Sequence, residues 1–432
     1  MVRLLTVMGL LLVSLSANAD FHPNRLIVKM INGTPKSDLI TNSKKLFGNM
    51  YVVYTNNLQE LEAQLEEESN VQYVQRDFKS PKAELPKAIP ALPSQWDITK
   101  AEGQFNDPRL SSQWTFKNSE DGGISINRAY QTRRSQPREE IIVAVVDTGV
   151  DFNHEDLKEV MWTNPGEIAG NGIDDDGNGY IDDIHGINTL VRDSNGNATV
   201  DMRDTHSHGT HVSGSIGAKQ NNGKGVAGIA GNVKIMGIRT VPNSSDELDV
   251  DVIEAFLYAA KMGAKVINCS FGKSRNEGGM AVSETIEHIR DEYGVLVVAA
   301  AGNDSSNIDR RPTYPASFPN DNLLVVASTS SSGSMSYFSN YGVVGVDVAA
   351  PGSGILSTVP NNRYSSMSGT SMASPNTAGV AAEVLSHFPD LTPVELKKVL
   401  MDTVTKSSRY NGKVASGGRI DLEKALELAS KL

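Results

Sequence analysis

The chain has 432 residues and carries 51 acidic against 40 basic side chains, which gives a formal net charge of −11. Its hydrophobic fraction of 39% is ordinary for a folded protein and excludes a mainly disordered, collagen-like or coiled-coil chain. The acidic excess argues against nucleic acid as a partner, because proteins that bind phosphates usually carry the opposite charge. A single cysteine, Cys269, excludes an intramolecular disulfide.

Residues 1–19 have the pattern of a secretory signal peptide. Arg3 supplies a positive charge, residues 4–13 are apolar, and residues 17–19 (Ala-Asn-Ala) fit the small-x-small rule for cleavage before Asp20. The apolar run spans about ten residues, whereas a membrane-spanning helix needs roughly 20. We therefore expect a secreted protein, extracellular or periplasmic, without a membrane anchor.

Residues 20–80 are expected to form a small unit of α+β type. The patterns predict strands at 25–29, 50–54 and 71–78, and a helix at 58–68. About 60 residues with few large apolar side chains make a marginal core, so this unit should need a partner surface. The proline-rich residues 81–106 have the composition of a linker.

From about residue 107 onward, very apolar runs alternate with helical patterns. They predict strands at 141–146, 234–238, 265–267, 295–300 and 323–327, and helices at 253–262, 283–292, 372–386 and 393–401. Continuous apolar strands that alternate with helices indicate a parallel sheet with helices on both faces.

Three segments place a reactive side chain at the end of a predicted element. Asp147 ends the strand at 141–146, and His208 lies in a run of small residues with two further histidines. Ser371 opens a helix of small residues, where free backbone N–H groups and the helix dipole favour an oxyanion. Taken singly, Asp147 could cap a turn and Ser371 could cap a helix.

Together these segments resemble the signatures of the subtilisin-like serine proteases. They are residues 146–149 (Val-Asp-Thr-Gly), 208–212 (His-Gly-Thr-His-Val) and 369–375 (Gly-Thr-Ser-Met-Ala-Ser-Pro), in the chain order that the subtilisins use. Residues 299–303 (Ala-Ala-Ala-Gly-Asn) are similar to the segment of the family's oxyanion hole. The resemblance spans about residues 107–425. It extends weakly to 25–80, which is similar to the family's inhibitory pro-domain.

The resemblance implies an α/β, three-layer subtilisin-like fold with a central, mostly parallel sheet and helices on both faces, preceded by a small α+β pro-domain. It implies that Ser371 is the nucleophile and that His208 is the general base. Asp147 would orient His208 and stabilise its imidazolium form. Asn303 and the backbone N–H of Ser371 would stabilise the oxyanion.

The two further histidines, His206 and His211, raise the alternative of a zinc site. His208 and His211 are three residues apart, not the four of an H-E-x-x-H motif, and no glutamate lies between them. We therefore expect His211 to be structural and His206 to be an ordinary loop residue.

The resemblance also implies where an extended peptide would bind. Residues 266–272 are similar to the family strand whose end pairs with the substrate backbone. The candidate substrate-binding residues are Ser270, Phe271, Gly272, Ala301 and Gly302. Residues 303–315 should form another pocket wall. Cys269 could be a redox-sensitive thiol, but a small buried apolar residue is the favoured interpretation.

An acidic loop at residues 171–183 predicts a calcium site. Oxygen-bearing side chains at alternate positions, followed by a glycine at the sixth, match an EF-hand-like loop. The expected ligands are Asp174, Asp176 and Asn178 through their side chains, Tyr180 through its carbonyl, and Asp182 or Asp183 in place of a glutamate at position 12. A solvated acidic turn is the alternative. The loop at 220–225 is a weaker candidate for a second ion.

The sequence thus predicts a secreted, calcium-stabilised serine endopeptidase made as a self-processing zymogen. We expect a monomer that acts on protein or peptide substrates and carries its own pro-domain as an intramolecular inhibitor, with maturation between residues 79 and 108. A dedicated processing protease with a narrow target is one alternative. A calcium-binding interaction protein on an inactive protease scaffold is another, against which the intact set of Asp147, His208, Asn303 and Ser371 argues.

Overall fold

The computed structural model describes residues 20–79, 105–133, 138–194, 196–245, 247–274, 276 and 279–432. The signal peptide predicted at 1–19 and most of the linker predicted at 81–106 lie outside the described residues. None of the helices in the described part of the chain is long and apolar enough to cross a membrane.

The described residues contain sixteen strands and eight α-helices. The strands are β1 (Asp20–Met30), β2 (Ile40–Phe47), β3 (Met50–Thr55), β4 (Val71–Lys79), β5 (Ile141–Asp147), β6 (Gly186–Arg192), β7 (Ala198–Thr199), β8 (Val233–Arg239), β9 (Val266–Cys269), β10 (Leu296–Ala300), β11 (Leu323–Thr329), β12 (Val348–Pro351), β13 (Ile355–Val359), β14 (Arg363–Met367), β15 (Thr405–Lys406) and β16 (Gly418–Arg419). The helices are α1 (Leu58–Glu66), α2 (Ile126–Arg133), α3 (His208–Gly217), α4 (Asp249–Lys261), α5 (Ala281–Tyr293), α6 (Thr370–His387), α7 (Pro393–Asp402) and α8 (Leu422–Ala429).

A large central sheet organises the main unit, residues 105–432. Its strand order is β15-β16-β12-β11-β10-β9-β5-β8-β6-β7. Pairing is parallel from β16 through β6, and only the two edge pairs are antiparallel. The prediction of a mostly parallel sheet is confirmed.

Both faces of this sheet are covered, as the continuous apolar strands require. Val143 and Val145 of β5 point into a core shared with α2, α3, α6, α7 and α8. The alternate residues Ala144 and Val146 point into a core shared with α4 and α5. Since successive side chains of a strand face opposite sides, the two cores define three layers.

Two helices, α3 and α4, show where the structure differs from the sequence prediction. The helix α3 was not predicted, because three of its ten residues are glycines of low helix propensity; every residue of it is buried, so tertiary packing holds it. The helix α4 begins at Asp249, four residues before the predicted start at 253. Its first turn contains buried acidic residues, which interrupt the apolar pattern.

Residues 20–79, named here the N-terminal unit, form an antiparallel sheet in the order β2-β3-β1-β4. One face, with Leu26 and Val28, packs on Leu61 and Leu65 of α1. The other face, which includes Ile27, packs into the α4–α5 core of the main unit. The N-terminal unit has few apolar residues of its own, so one face of its sheet is buried against the main unit instead. The sequence patterns do not predict strand β2, because most residues of this edge strand are polar and lie at the surface.

Candidate active site

The predicted catalytic residues meet at one edge of the central sheet. Because β5, β9 and β10 are parallel neighbours, their carboxyl ends lie together. Asp147 is the last residue of β5, Ser270 follows β9, and Asn303 lies three residues after β10. His208 is the first residue of α3, and Ser371 lies in the first turn of α6. Strand ends and helix starts therefore supply the whole set.

Asp147 and His208 form a buried hydrogen-bonded pair. His208 Nδ1 donates to Asp147 Oδ1 at 2.8 Å, and the two side chains are 0% and 1% exposed. Gly209 permits this approach, since a Cβ there would lie 2.1 Å from the Gly149 carbonyl oxygen. The other ring nitrogen of His208, Nε2, is buried and has no hydrogen-bond partner among the described residues. That nitrogen is the one available to accept a proton.

Ser371 is held against the end of β9. Its Oγ donates to the Ser270 carbonyl at 3.0 Å, and Ser270 Oγ donates back to the Ser371 carbonyl at 2.9 Å. In this arrangement the Ser371 hydroxyl proton is directed to Ser270. To use His208 as its base, the hydroxyl must turn away from that carbonyl.

Asn303 is oriented by Thr370, the residue before Ser371. The Asn303 Oδ1 accepts from the backbone N–H of Thr370 at 2.8 Å and from its hydroxyl at 3.0 Å. The same Thr370 Oγ1 accepts from the Gly302 N–H at 3.0 Å. Since Oδ1 is occupied, the amide nitrogen is the end of Asn303 left for a substrate oxygen. Sequence reasoning gave Thr370 no role, although it lies inside the serine motif.

The predicted peptide-binding segments lie against each other. Lys273 and Tyr314 exchange two main-chain hydrogen bonds of 2.9 and 2.8 Å, so the segment after β9 pairs with the wall predicted at 303–315. A Cβ at Gly272 would lie 2.9 Å from the Tyr314 carbonyl oxygen, which explains the need for glycine there. Phe271 lines a small pocket of mixed character. Its apolar walls also include Val252, Val282, Tyr314, Pro315 and Phe318, and its polar walls are Glu247, Asp249, Lys273 and Asn276.

Ala301 and Gly302 are fixed by a neighbouring loop. Asn340 Nδ2 donates to the Ala301 carbonyl at 2.9 Å, and the Asn340 N–H donates to the Gly302 carbonyl at 2.9 Å. Gly302 has a φ of +101°, and a Cβ there would lie 2.3 Å from the Asn340 amide nitrogen. A side chain at 302 would therefore displace the loop that holds Ala301 and Gly302, the two residues before Asn303.

Of the remaining predicted residues of this region, His211 and Cys269 are buried and His206 is half-buried. His211 Nε2 donates to the carbonyls of Ile355 at 2.9 Å and Ser365 at 3.1 Å, which ties α3 to the β13–β14 hairpin. Burial lowers the pKa of His211 to about 3, so its ring is neutral. The His206 ring lies edge-on to His208, with 6.4 Å between centroids. Burial raises the pKa of the Cys269 thiol, which makes it unreactive.

Part of the acidic loop converges on one point. Carboxylate oxygens of Glu167, Asp176 and Asp183 all lie within 4.8 Å of one another. Asn178 Nδ2 joins them, at 3.1 Å from Asp176 Oδ2 and 3.0 Å from Asp183 Oδ2. Glu167 was not predicted, because it precedes the acidic loop and matches no position of the motif.

The other predicted ligands are engaged elsewhere. Asp182 accepts from the N–H groups of residues 170–172 at 2.7 to 3.2 Å, so Asp183 rather than Asp182 lies in the cluster. Asp174 accepts from the N–H groups of Asn178 at 3.0 Å and Gly179 at 2.9 Å. These bonds shape the loop around the cluster.

At the second loop, 220–225, two carboxylates from outside the loop are present. Asp156 accepts from Asn222 Nδ2 at 2.8 Å, and Asp107 accepts from the Asn221 N–H at 3.0 Å. Both carboxylates thus already have protein donors.

A buried ionic layer joins the N-terminal unit to α4. Arg25 Nε donates to Asp77 Oδ2 at 2.7 Å, and Arg25 Nη1 donates to Asp251 Oδ1 at 3.1 Å. The second oxygen of Asp77 accepts from the Val250 N–H at the start of α4, at 3.0 Å. Two residues earlier, Gln75 Oε1 accepts from the N–H groups at the start of α5, at 3.0 and 3.2 Å. Strand β4 therefore caps two helices of the main unit.

The same layer reaches the acidic loop. Arg192 Nη2 pairs with Asp251 at 2.6 Å, and its Nη1 pairs with Glu254. Glu254 also accepts from Lys44 Nζ of the N-terminal unit at 3.1 Å and from the Tyr180 hydroxyl of the loop at 2.9 Å. The predicted ligand Tyr180 therefore links the loop to α4 through its side chain.

Comparison with known proteins identifies the family. The model of the subtilase family matches residues 138–418. Subtilisin-like protease 1 of Plasmodium berghei is 34% identical over 346 residues, which cover 75% of this chain and 55% of that protein. Thermitase of Thermoactinomyces vulgaris is 36% identical over 285 residues, which cover 66% of this chain and 88% of that protein.

A solved structure has the same fold. Fervidolysin from Fervidobacterium pennivorans superposes with a TM-score of 0.72 at 23% identity, covering 94% of this chain and 61% of that one. This likeness confirms the predicted three-layer, subtilisin-like architecture. The chain spans about half the length of the Plasmodium relatives that it matches. From the match of the family model over most of its length, the chain belongs to the subtilase family.

Proposed function

We propose that the chain is a serine endopeptidase that hydrolyses peptide bonds through an acyl-enzyme. The observation that carries this proposal is the buried 2.8 Å hydrogen bond between His208 and Asp147, at the sheet edge where α6 presents Ser371. A base oriented by a carboxylate, beside a hydroxyl at a helix start, is the arrangement that acyl transfer requires. Membership in the subtilase family supports the same activity.

The reaction begins when the Ser371 hydroxyl leaves the Ser270 carbonyl and donates to His208 Nε2. As Oγ attacks the peptide carbonyl carbon, His208 takes its proton and then gives it to the leaving amine. Asp147 accepts from Nδ1, which holds the correct tautomer and stabilises the imidazolium. Water, deprotonated by the same histidine, then hydrolyses the acyl-enzyme.

Negative charge develops on the carbonyl oxygen in both steps. The Asn303 amide nitrogen and the Ser371 N–H, at the positive end of the α6 dipole, would donate to it. Thr370 keeps Asn303 in the required orientation in advance. Removal of one such donor lowers kcat by about 10²–10³-fold.

The N-terminal unit is proposed to be an inhibitory pro-domain that the enzyme itself removes. Strand β4 caps the starts of α4 and α5 and ends at Lys79, from which the chain continues toward residue 105. Its ionic and apolar contacts with the main unit support a tight intramolecular complex. The signal-like residues 1–19 support secretion of this zymogen.

Calcium is proposed as a structural ion of the loop at 167–183. Glu167, Asp176 and Asp183 offer converging carboxylate oxygens, and the amide of Asn178 lies beside them. The three carboxylates supply oxygen ligands, which suit a hard cation. Asn178 instead presents its amide nitrogen to them, because its Oδ1 accepts from the Tyr180 N–H at 2.8 Å. When bound, Ca²⁺ would neutralise the repulsion among these carboxylates, and it would take no part in the reaction.

Intact mass and N-terminal sequencing test the proposal. The wild-type protein is compared with a Ser371→Ala variant expressed in the same way. We expect the wild type to begin between Lys79 and Pro108 and the variant to retain its N-terminal unit. If neither protein is trimmed, self-processing is wrong; identical trimming of both would assign maturation to another protease.

Labelling with a fluorophosphonate separates an active enzyme from an inactive scaffold. The mature wild type should react at Ser371, whereas Ser371→Ala should not. A cleavage profile on denatured proteins then distinguishes a broad endopeptidase from a narrow processing protease. Many cleavage sites would support the broad role, and cleavage at a few related sequences would support the narrow one.

A further inference from the structure

A carboxylate outside the catalytic motifs links the two segments that carry Asp147 and His208. Asp204 lies between β7 and α3, four residues before His208, and is only 9% exposed. A buried carboxylate needs several hydrogen-bond donors to offset the loss of its hydration. The hydrogen-bond donors to Asp204 therefore show which segments it holds together.

The Asp204 carboxylate accepts five hydrogen bonds. Its Oδ1 accepts from the Thr148 hydroxyl at 3.0 Å and from the N–H groups of His206 at 2.8 Å and Ser207 at 2.9 Å. Its Oδ2 accepts from the Thr210 N–H at 3.0 Å and the Thr210 hydroxyl at 2.7 Å. Thus both oxygens of Asp204 are saturated by protein donors.

These donors come from both sides of the catalytic pair. Thr148 directly follows Asp147, whereas Ser207 and Thr210 flank His208. A further bond, from the Gly209 N–H to Thr148 Oγ1 at 3.0 Å, joins the same two segments. The bond between Asp147 and His208 therefore lies within a closed ring of hydrogen bonds.

The ring also holds a strained residue. Ser207 has a φ of +89°, in the left-handed region, which is unfavourable for a residue with a side chain. Its N–H is the group that Asp204 Oδ1 accepts at 2.9 Å. This conformation turns the chain so that α3 begins at His208.

We propose that Asp204 is a positioning residue that sets the geometry of the Asp147–His208 pair. It contacts neither the nucleophile nor the oxyanion residues, and it acts through Thr148, Ser207 and Thr210. Reaction rates are sensitive to such placement, since a shift of about 1 Å in a reacting group can cost about 10²-fold. The inference rests on the proposed protease activity.

The test compares Asp204→Asn with a matched control, Asp201→Asn. The control removes a nearby exposed carboxylate that pairs only with Arg203 in its described side-chain contacts. Asp204→Asn keeps one acceptor oxygen and replaces the other with an NH₂ group, so the ring opens on one side. We expect kcat on a peptide substrate to fall at least tenfold, with KM changed by less than about threefold, whereas the control matches the wild type.

The pH profile separates positioning from general destabilisation. A loosened Asp147 stabilises the imidazolium form of His208 less. The acidic limb of kcat/KM should then move to lower pH in Asp204→Asn. Unchanged kcat, or a fall in kcat with an unmoved acidic limb, would overturn the proposal.

A second pair of variants applies where Asp204→Asn does not fold. Thr210→Val removes the hydroxyl that donates at 2.7 Å, and Thr210→Ser retains it. We expect Thr210→Val to lower kcat and shift the acidic limb, and Thr210→Ser to restore both. Equal kcat and acidic limbs in these two variants would contradict positioning through the ring. Failure of the protease proposal is recognised separately, as a wild type that neither cleaves peptides nor reacts with a fluorophosphonate.

Discussion

Two charged regions flank α4 and differ in where their counter-charges come from. In the buried ionic layer, Asp77 and Asp251 are paired with Arg25, and Asp251 and Glu254 are paired with Arg192. The segment 167–183, which is the acidic loop with Glu167 before it, contains six acidic residues and no lysine or arginine. The fold thus supplies the cations of the first region, whereas for the second we propose a cation from solution.

The pKa shifts in the layer point in two directions. Burial raises the pKa of Asp77 and of Asp251 in spite of their contacts with Arg25, whereas Arg25 and Glu254 are shifted toward their charged forms. Burial alone would lower the pKa of Arg25, but Asp77 and Asp251 raise it overall. Burial would likewise raise the pKa of Glu254, but Arg192 and Lys44 lower it overall. Both groups therefore stay charged inside the interface. Removal of one partner should leave the others buried and uncompensated.

The largest effect is expected from Arg25→Met, introduced into the full-length Ser371→Ala chain. This substitution leaves Asp77 and Asp251 without their shared cation, at a cost of about 3–5 kcal/mol. Hydrogen exchange should therefore accelerate at least about 100-fold for the amides of β1 and β4.

Arg76→Met is the matched control for that experiment. Arg76 lies on the same strand as Asp77 but pairs with Glu62 inside the N-terminal unit. Its substitution should change exchange much less. Less than a tenfold acceleration for Arg25→Met would show that the ionic layer does not hold the two units together.

A smaller effect is expected from removal of calcium. At a free concentration of about 100 times Kd, a bound ion stabilises a protein by about 2.7 kcal/mol. A chelator should therefore lower the Tm of the mature protein by several degrees. Glu167→Gln should reduce that difference, whereas Glu292→Gln, on the exposed surface of α5, should not. Equal Tm values with and without the chelator would contradict a structural ion.

Tyr180→Phe measures the connection between the two regions. It deletes the hydroxyl that donates to Glu254 at 2.9 Å but leaves Arg192 on that carboxylate. We expect a loss of about 1–2 kcal/mol in the free energy of unfolding, measured with denaturant. The same loss in a Glu254→Gln background would mean that the hydroxyl does not act through Glu254.

The smallest effect is expected from Arg203→Ala. Arg203 pairs with Asp201 at 2.6 Å on the exposed surface, where solvent screens the charges. Tm and activity should match those of the wild type. A measurable loss of Tm or activity would show that this exposed ion pair contributes more than solvent screening of its charges predicts.

Much of the main unit could be predicted, because its strands are buried on both faces. Strands β5, β8, β9, β10 and β11 begin and end within two residues of their predicted bounds. Elements whose sequence is polar or glycine-rich were missed, as β2 and α3 show. Their stability comes from packing, which local periodicity does not record.

By itself, the sequence determined the family, the end of the sheet at which the candidate site lies, and the residues expected to carry the reaction. It could do so because short contiguous motifs contain all of these residues. Only the tertiary structure decided that Thr370 orients Asn303, that Glu167 joins the acidic cluster and that Asp204 links the segments of Asp147 and His208. It also decided that Arg25 lies between Asp77 and Asp251. Arg25 and Asp251 are 226 residues apart along the chain. Such pairings arise when distant segments are brought together, and the free energy of burying a charge depends on those partners rather than on local sequence.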